Sequence, residues 1–303
     1  MIRPLHLRRS WLFVGATNED DIHASLSSDA DVCILEFEDF CLPSNRPKGR
    51  KMLPEILKAW NKLGKVAGVR INPLESKDGL KDLQAAICKD LNIILLPKVE
   101  KKKQVETFVK EKNKHELKNN IKKNTIEFFP NIESSLGMEN LKDILNSRNV
   151  KGALVASEDM ALSLDLLDVK KNEMLDFIRK RFHLACKAYG KLTIDMPNTW
   201  GNVNDLKKEL IHIKKLGILA KSTVKASHCK IINTFLTPTK LEVANSINII
   251  TRFKKALNEN KSQILYKEHY LELPVFEKAN RLLARYKSFI EYDKKIIKLK
   301  KNM

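Results

Sequence analysis

The 303-residue chain carries five cysteines, Cys33, Cys41, Cys88, Cys186 and Cys229, and no two of them form a Cys-x-x-Cys pair. An odd, scattered set argues against both a disulfide framework and a zinc site, so the thiols are expected to be reduced. No apolar run approaches the roughly 18 residues that a membrane-spanning helix needs. The N-terminal stretch MIRPLHLRRSWLF also lacks the form of a secretory signal. A cytoplasmic location is therefore the expectation. The histidines, His6, His23, His115, His183, His212, His228 and His269, stand without metal-ligand spacing. Neither GxGxxG nor GxxxxGK[ST] occurs, which removes the familiar loops that cradle nucleotide phosphates.

Positive charge is what the chain has in excess. Lys and Arg number 56 against 37 Asp and Glu, a formal charge of +19 that would attract nucleic acid, anionic membrane or acidic metabolites. Much of it lies in two runs, 101–123 and 294–301. Both space their apolar residues at helix-like intervals, and neither interleaves aromatics with bases as single-strand binders do. They read as solvated helical faces, so nucleic acid is not the expected partner. A hydrophobic content of 43% is enough for a substantial core.

Short β-rich runs recur along the chain: 11–14, 32–37, 66–71, 93–96, 126–132, 152–156, 192–194 and 218–224. The gaps between them mostly leave room for a helix and two loops, as parallel crossovers require. Eight such units predict an α/β protein, a (β/α)8 barrel of the TIM type, more than an open sheet. After residue 226 the pattern changes to a helix over 241–257, an extended stretch over 264–273 and a helix over 275–287. The expected division is a barrel over 1–226 and a C-terminal helical extension over 227–303.

Active-site residues of such barrels stand at the C-terminal ends of the strands. Read in turn, those ends offer Glu36, Glu38 and Asp39, then Arg70, Lys98 with Glu100, Glu133, Glu158 with Asp159, and Asp195. The fifth and sixth runs each empty into acid. If they are neighbouring strands, their ends lie roughly 5 Å apart and two carboxylates face each other. Like charges so placed call for a cation, and oxygen-only ligands suit Mg²⁺. The competing explanation is a pair of helix N-caps, Ser134 with Glu133 and Ser157 with Asp159. The spacing leaves both open.

Several stretches together, RRSWLFV (8–14), DVCILEFEDFCLP (31–43), VRINP (69–73), LLPKVE (95–100), NIESSLG (131–137), SEDMALSL (157–164), LTPTKLEV (236–243) and ELPVFEKANRLLAR (272–285), resemble the citrate lyase β-subunit-like branch of the HpcH/HpaI aldolase superfamily. The resemblance implies a Mg²⁺-dependent carbon–carbon lyase, with Glu133 and Asp159 as metal ligands and Glu38 and Asp39 near the metal's waters. Arg70 becomes the clamp on a substrate carboxylate. Lys221 falls on the coenzyme-binding side, and Glu272 becomes an acid/base that reaches the site from a neighbouring subunit of a trimer or hexamer. The implied reaction cleaves, or forms, a malyl-CoA- or citramalyl-CoA-like thioester, giving acetyl-CoA and glyoxylate or pyruvate. The sequence departs from the branch at Gly15-Ala16, at Ala156 and in KSTVKASHC (221–229), where Lys225, Ala226 and His228 replace the usual His, Pro and Gln. That divergence bears on the thioester more than on the metal. Two alternatives are a CoA-independent 2-oxo acid aldolase and a non-catalytic, RNA-binding barrel.

Overall fold

The computed structural model describes residues 2–168, 172–199, 202–266 and 269–301. Eight strands form one all-parallel sheet: β1 (Ser10–Gly15), β2 (Val32–Glu36), β3 (Val66–Arg70), β4 (Ile93–Leu96), β5 (Glu127–Ile132), β6 (Gly152–Val155), β7 (Leu192–Ile194) and β8 (Lys221–Thr223). Their order, β7-β6-β5-β4-β3-β2-β1-β8, is sequential, with β8 against β1. At the remaining seam the Asp195 amide donates to the Ala220 carbonyl at 2.9 Å, and the Ser222 amide donates to the Asp195 carbonyl at 3.0 Å. This pairing brings β7 to β8 and makes the sheet a nearly closed barrel, as the eight β-rich runs predict.

Between the strands run α1 (Glu19–Ser27), α2 (Arg46–Lys62), α3 (Gly79–Ala86), α4 (Lys102–Lys118), α5 (Ser135–Glu139), α6 (Leu141–Leu145), α7 (Glu158–Ser163), α8 (Glu173–Ala188) and α9 (Val203–Leu216), and α10 (His228–Leu236) follows β8. The period of two along each strand sorts side chains into two cores. Trp11, Phe13, Val32, Ile34, Ile93 and Phe129 fill the barrel, and Trp11 meets Phe129 edge to face with ring centroids 5.0 Å apart. Leu12, Cys33, Leu35, Val69 and Ile94 point outward under the helices. The barrel interior is tight at Gly68, where a Cβ would stand 2.4 Å from Ile93 Cγ1 and 2.6 Å from Ile34 Cδ1.

The crossover from β5 to β6 is made of two short helices, α5 and α6, that meet at Asn140, whose side-chain amide donates to the Glu100 carbonyl at 2.8 Å. The basic run 101–123 forms α4, and its face is not wholly solvated. Lys112 and Glu116 are buried as an ion pair at 2.8 Å, and Glu116 also accepts from the Asn124 and Ile126 amides.

The chain divides into two compact units, Met1–Leu236 and Thr237–Met303, ten residues later than the expected boundary at 226. The reason is α10, whose Ile232 and Leu236 pack with Leu206, Leu210 and Ile213 of α9. In the second unit, α11 (Lys240–Asn258) opens with a capping box of Thr239 and Glu242. A hairpin follows, made of β9 (Ile264–Tyr266) and β10 (His269–Leu271), and then α12 (Leu273–Lys301), which takes in the basic run 294–301. Phe253 of α11 stacks on Phe276 of α12, with centroids 4.9 Å apart. Among the described residues no helix is long and apolar enough to cross a membrane.

Candidate active site

Strand alternation carries a set of charges into the barrel at its carboxyl end. Glu36 follows Val32 and Ile34 on the inward face of β2, and Arg70 follows Val66 and Gly68 on β3. Asn131 and Glu133 follow Phe129 on β5. Arg70 is the hub. Its Nε pairs with Glu36, Nη2 donates to Asp39 at 2.9 Å, and Nη1 lies 3.3 Å from Glu38 and 3.4 Å from Glu133. Lys98, just after β4, places Nζ 2.9 Å from Glu38. Asp159 is half-buried in the first turn of α7, near enough for its charge to act on both Glu133 and Lys98.

Five carboxylates therefore share the pit with two cations, and their ionisation reflects the imbalance. Burial pushes the Glu133 carboxyl up to about 7; Arg70 offsets part of this, while Glu38 and Asp159 add to it. Burial pushes Glu36 up to about 7 as well, against the pull of Arg70. Glu38 is raised for the same first reason, and Lys98 is raised chiefly by its bond to Glu38. Burial opposes the charge of Arg70, but the carboxylates around it hold its proton more firmly than usual.

Two features bear on a divalent ion. Glu133 Oε1 accepts from Asn131 Nδ2 at 3.2 Å, but its buried Oε2 has no hydrogen-bond partner. The Glu38 oxygens meet Arg70 and Lys98 at ion-pair distance without a well-aligned hydrogen bond. A buried carboxylate oxygen left this way is costly unless something else occupies it. The donor set is oxygen alone, which fits Mg²⁺, an ion that takes one or two carboxylates and completes its shell with water and substrate. Among the described residues no group of three or more His, Cys, Asp or Glu side chains is placed to hold a metal ion, so water and substrate would have to complete the shell. The fit is to an open site.

The helix-cap explanation holds for one position of the two. Ser134 caps α5 by accepting from the Gly137 amide at 3.1 Å, while Ser157 makes no side-chain cap to α7. Glu133 caps nothing and faces into the barrel.

Lys221 and Asp195 have the opposite parity and point out of the barrel, toward α8 and α9. Lys221 is fully buried: Nζ lies 2.9 Å from Asp195 Oδ2, 2.6 Å from the Met196 carbonyl and 3.2 Å from Glu209. Arg179 of α8 donates to Asp195 at 2.7 Å and pairs with Glu209. Burial works against the Asp195 charge, yet Arg179 and Lys221 hold its carboxyl below the ordinary range. The network ties β7 and β8 to α8 and α9 and leaves Lys221 no surface to offer a ligand. Beside it lies a cavity of about 670 Å³ whose lining includes Ser157, Glu158, Leu175, Phe177 and Met196. Its charges are largely spent on each other, as in the contacts of Asp176 with His212 and Lys180, both at 2.7 Å. Neither Arg70 nor Glu133 lines it, and the chemistry of the Arg70 pit makes the pit the better candidate.

Glu272 lies in the second unit, exposed, one residue ahead of α12. Glu36, Lys98 and Asn131 enter the site although the family resemblance assigned them no role. The inward parity of β2 and β5 is the signal for Glu36 and Asn131; nothing in the sequence around Lys98 marks its backbone conformation.

The sequence model of the family described as "HpcH/HpaI aldolase/citrate lyase" matches residues 9–226. Among curated proteins, citrate lyase subunit beta of Haemophilus influenzae is 24% identical over 292 residues, covering 94% of this chain and 99% of its own length. A (3S)-malyl-CoA thioesterase of Cereibacter sphaeroides is 22% identical, covering 84% of this chain and 86% of its own. Among solved structures, protein CitE from Mycobacterium tuberculosis in complex with magnesium, acetoacetate and coenzyme A superimposes with a TM-score of 0.77. It covers 93% of this chain and 99% of its own at 19% identity, a likeness of fold.

Proposed function

Because the chain belongs to the HpcH/HpaI aldolase/citrate lyase family, we propose that it is a Mg²⁺-dependent carbon–carbon lyase that cleaves, or forms by condensation, a malyl-CoA- or citramalyl-CoA-like thioester. The observation that carries this reading is the acid-rich pit with the unpartnered Glu133 Oε2 at its floor. Glu133 and Asp159 would hold the ion, with Glu38 and Asp39 accepting from its waters. When bound, Mg²⁺ supplies Lewis acidity at the oxygen of the 2-oxo or 2-hydroxy acid.

The remaining work belongs to the side chains. Arg70 orients the substrate through its carboxylate, and the arrangement supports a particular route. Its Nε is committed to buried Glu36, whereas Asp39, on the outward Nη2, is 44% exposed. A substrate carboxylate displaces Asp39 and takes over the Nη2 edge of the fork. Glu272 serves as the acid/base for the proton on the acyl carbon, brought by a neighbouring subunit. Lys221 acts as a strut at the β7–β8 seam and not as a coenzyme ligand.

The buried position of Lys221, with Lys225 in the loop after it and His228 at the start of α10, favours a second reading: the same chemistry on a free 2-oxo acid without CoA. One assay separates the two. Release of pyruvate or glyoxylate is measured from the thioester and from the free hydroxy acid, each with Mg²⁺ and with EDTA. Thioester cleavage that requires Mg²⁺ supports the proposal, free-acid cleavage supports the second reading, and metal-independent release refutes both.

A further inference from the structure

Arg70 and Lys98 are the two cations of the pit, and they differ in the surface they keep. The Arg70 side chain is 8% exposed and has four carboxylates around its fork. That of Lys98 is 48% exposed and has one close partner, Glu38. An incoming anion therefore meets the ammonium of Lys98 before the guanidinium.

The backbone points the same way. Lys98 has φ of 53°, in the left-handed region. The other described non-glycine residues with positive φ are Asn120, Asn124, Asp165 and Asn260, whose short polar side chains tolerate that conformation. Lysine has no such tolerance, so the surroundings impose it. Gln104 donates to the Lys98 carbonyl at 3.3 Å and accepts from the Glu100 and Lys101 amides at 2.8 and 2.9 Å. The Val99 amide donates to the carbonyl of Asn131, the residue whose side chain also holds Glu133. The loop thus directs a half-exposed ammonium over the acids. Its contact with Glu38 is a single ion pair at 2.9 Å made by a half-exposed side chain, and such a partner is readily exchanged.

We infer that Lys98 is a substrate-contacting residue whose ammonium exchanges Glu38 for the carboxylate of a 2-oxo acid, forming with Arg70 a two-cation clamp. The inference rests on the proposed lyase reading, because that reading supplies the 2-oxo acid.

Calorimetry on the full chain tests it, with Mg²⁺ titrated alone and pyruvate then titrated at saturating Mg²⁺. Lys98→Met keeps the length of the stem and removes the charge. Its affinity for pyruvate is expected to fall at least tenfold. Its affinity for Mg²⁺ is expected to stay the same or tighten, since a cation beside Asp159 and Glu38 has gone. Lys98→Arg should keep most of the pyruvate affinity. If Lys98→Met binds pyruvate as the parent does, the inference is overturned and the lyase reading stands. A joint loss of Mg²⁺ and pyruvate binding with a lowered Tm also overturns it, because it shows that Lys98 only holds Glu38 in place. A parent chain that binds Mg²⁺ but no 2-oxo acid overturns the lyase reading, and this inference with it.

Discussion

Replacing Glu133 by Gln should make the metal-free protein more stable while abolishing what the site is for. The folded carboxyl lies near 7 against an ordinary 4.5, chiefly because it is buried, so the folded chain holds that proton more tightly than the unfolded chain does. The stabilising contribution is complete below about pH 4.5 and is lost as pH rises through about 7. At about 1.4 kcal/mol for each tenfold change in proton affinity, an ionised Glu133 costs the metal-free fold about 3 kcal/mol. Glu133→Gln has the same size and stays neutral, so at pH 8 in EDTA it should exceed the parent by up to about 3 kcal/mol, and at pH 5 by only about 1 kcal/mol. Urea unfolding followed by circular dichroism at the two pH values measures this. Saturating Mg²⁺ should then reverse the order at pH 8, because an ion that binds only the folded parent stabilises it by mass action and leaves the variant unchanged. A variant less stable than the parent at pH 8 in EDTA, or an advantage that is the same at both pH values, would refute the argument.

Asp159→Ala should lose calorimetrically detectable Mg²⁺ binding and keep its fold. In the parent, Mg²⁺ affinity should fall about tenfold for each unit of pH below 7, as the Glu133 proton competes with the ion. Glu272→Gln should lower turnover on the order of 10²-fold or more with Mg²⁺ binding unchanged, and mixing it with inactive Asp159→Ala should restore part of the activity if subunits share sites. Full activity of Glu272→Gln would end that assignment. Lys221→Met strands Asp195 with one cation fewer in a fully buried network and should cost about 3 kcal/mol or more in barrel stability. Its Mg²⁺ affinity, measured on the fraction still folded, should match the parent's; a stable Lys221→Met variant would remove the strut assignment.

The sequence by itself determined the barrel and the location of its mouth. Each strand is a short apolar run closed by charge, and the gaps between runs leave room for the helical crossovers that parallel pairing requires, so in a parallel barrel the ends of β2, β3, β5 and β6 carry Glu36, Arg70, Glu133 and Asp159 to one side. What alternation does not contain is distance between residues far apart in the chain, and burial depends on such distances. Four carboxylates from two segments meet on Arg70, Lys112 and Glu116 vanish beneath a face that reads as solvated, and Ser157 misses its helix while Ser134 caps one. The same holds for the left-handed turn at Lys98, which is imposed by Gln104 and Asn131 from outside the residue's own preferences. Only the tertiary structure could decide these, because the energy of an ionised group is set by the charges and dielectric around it, and those are brought by other parts of the chain.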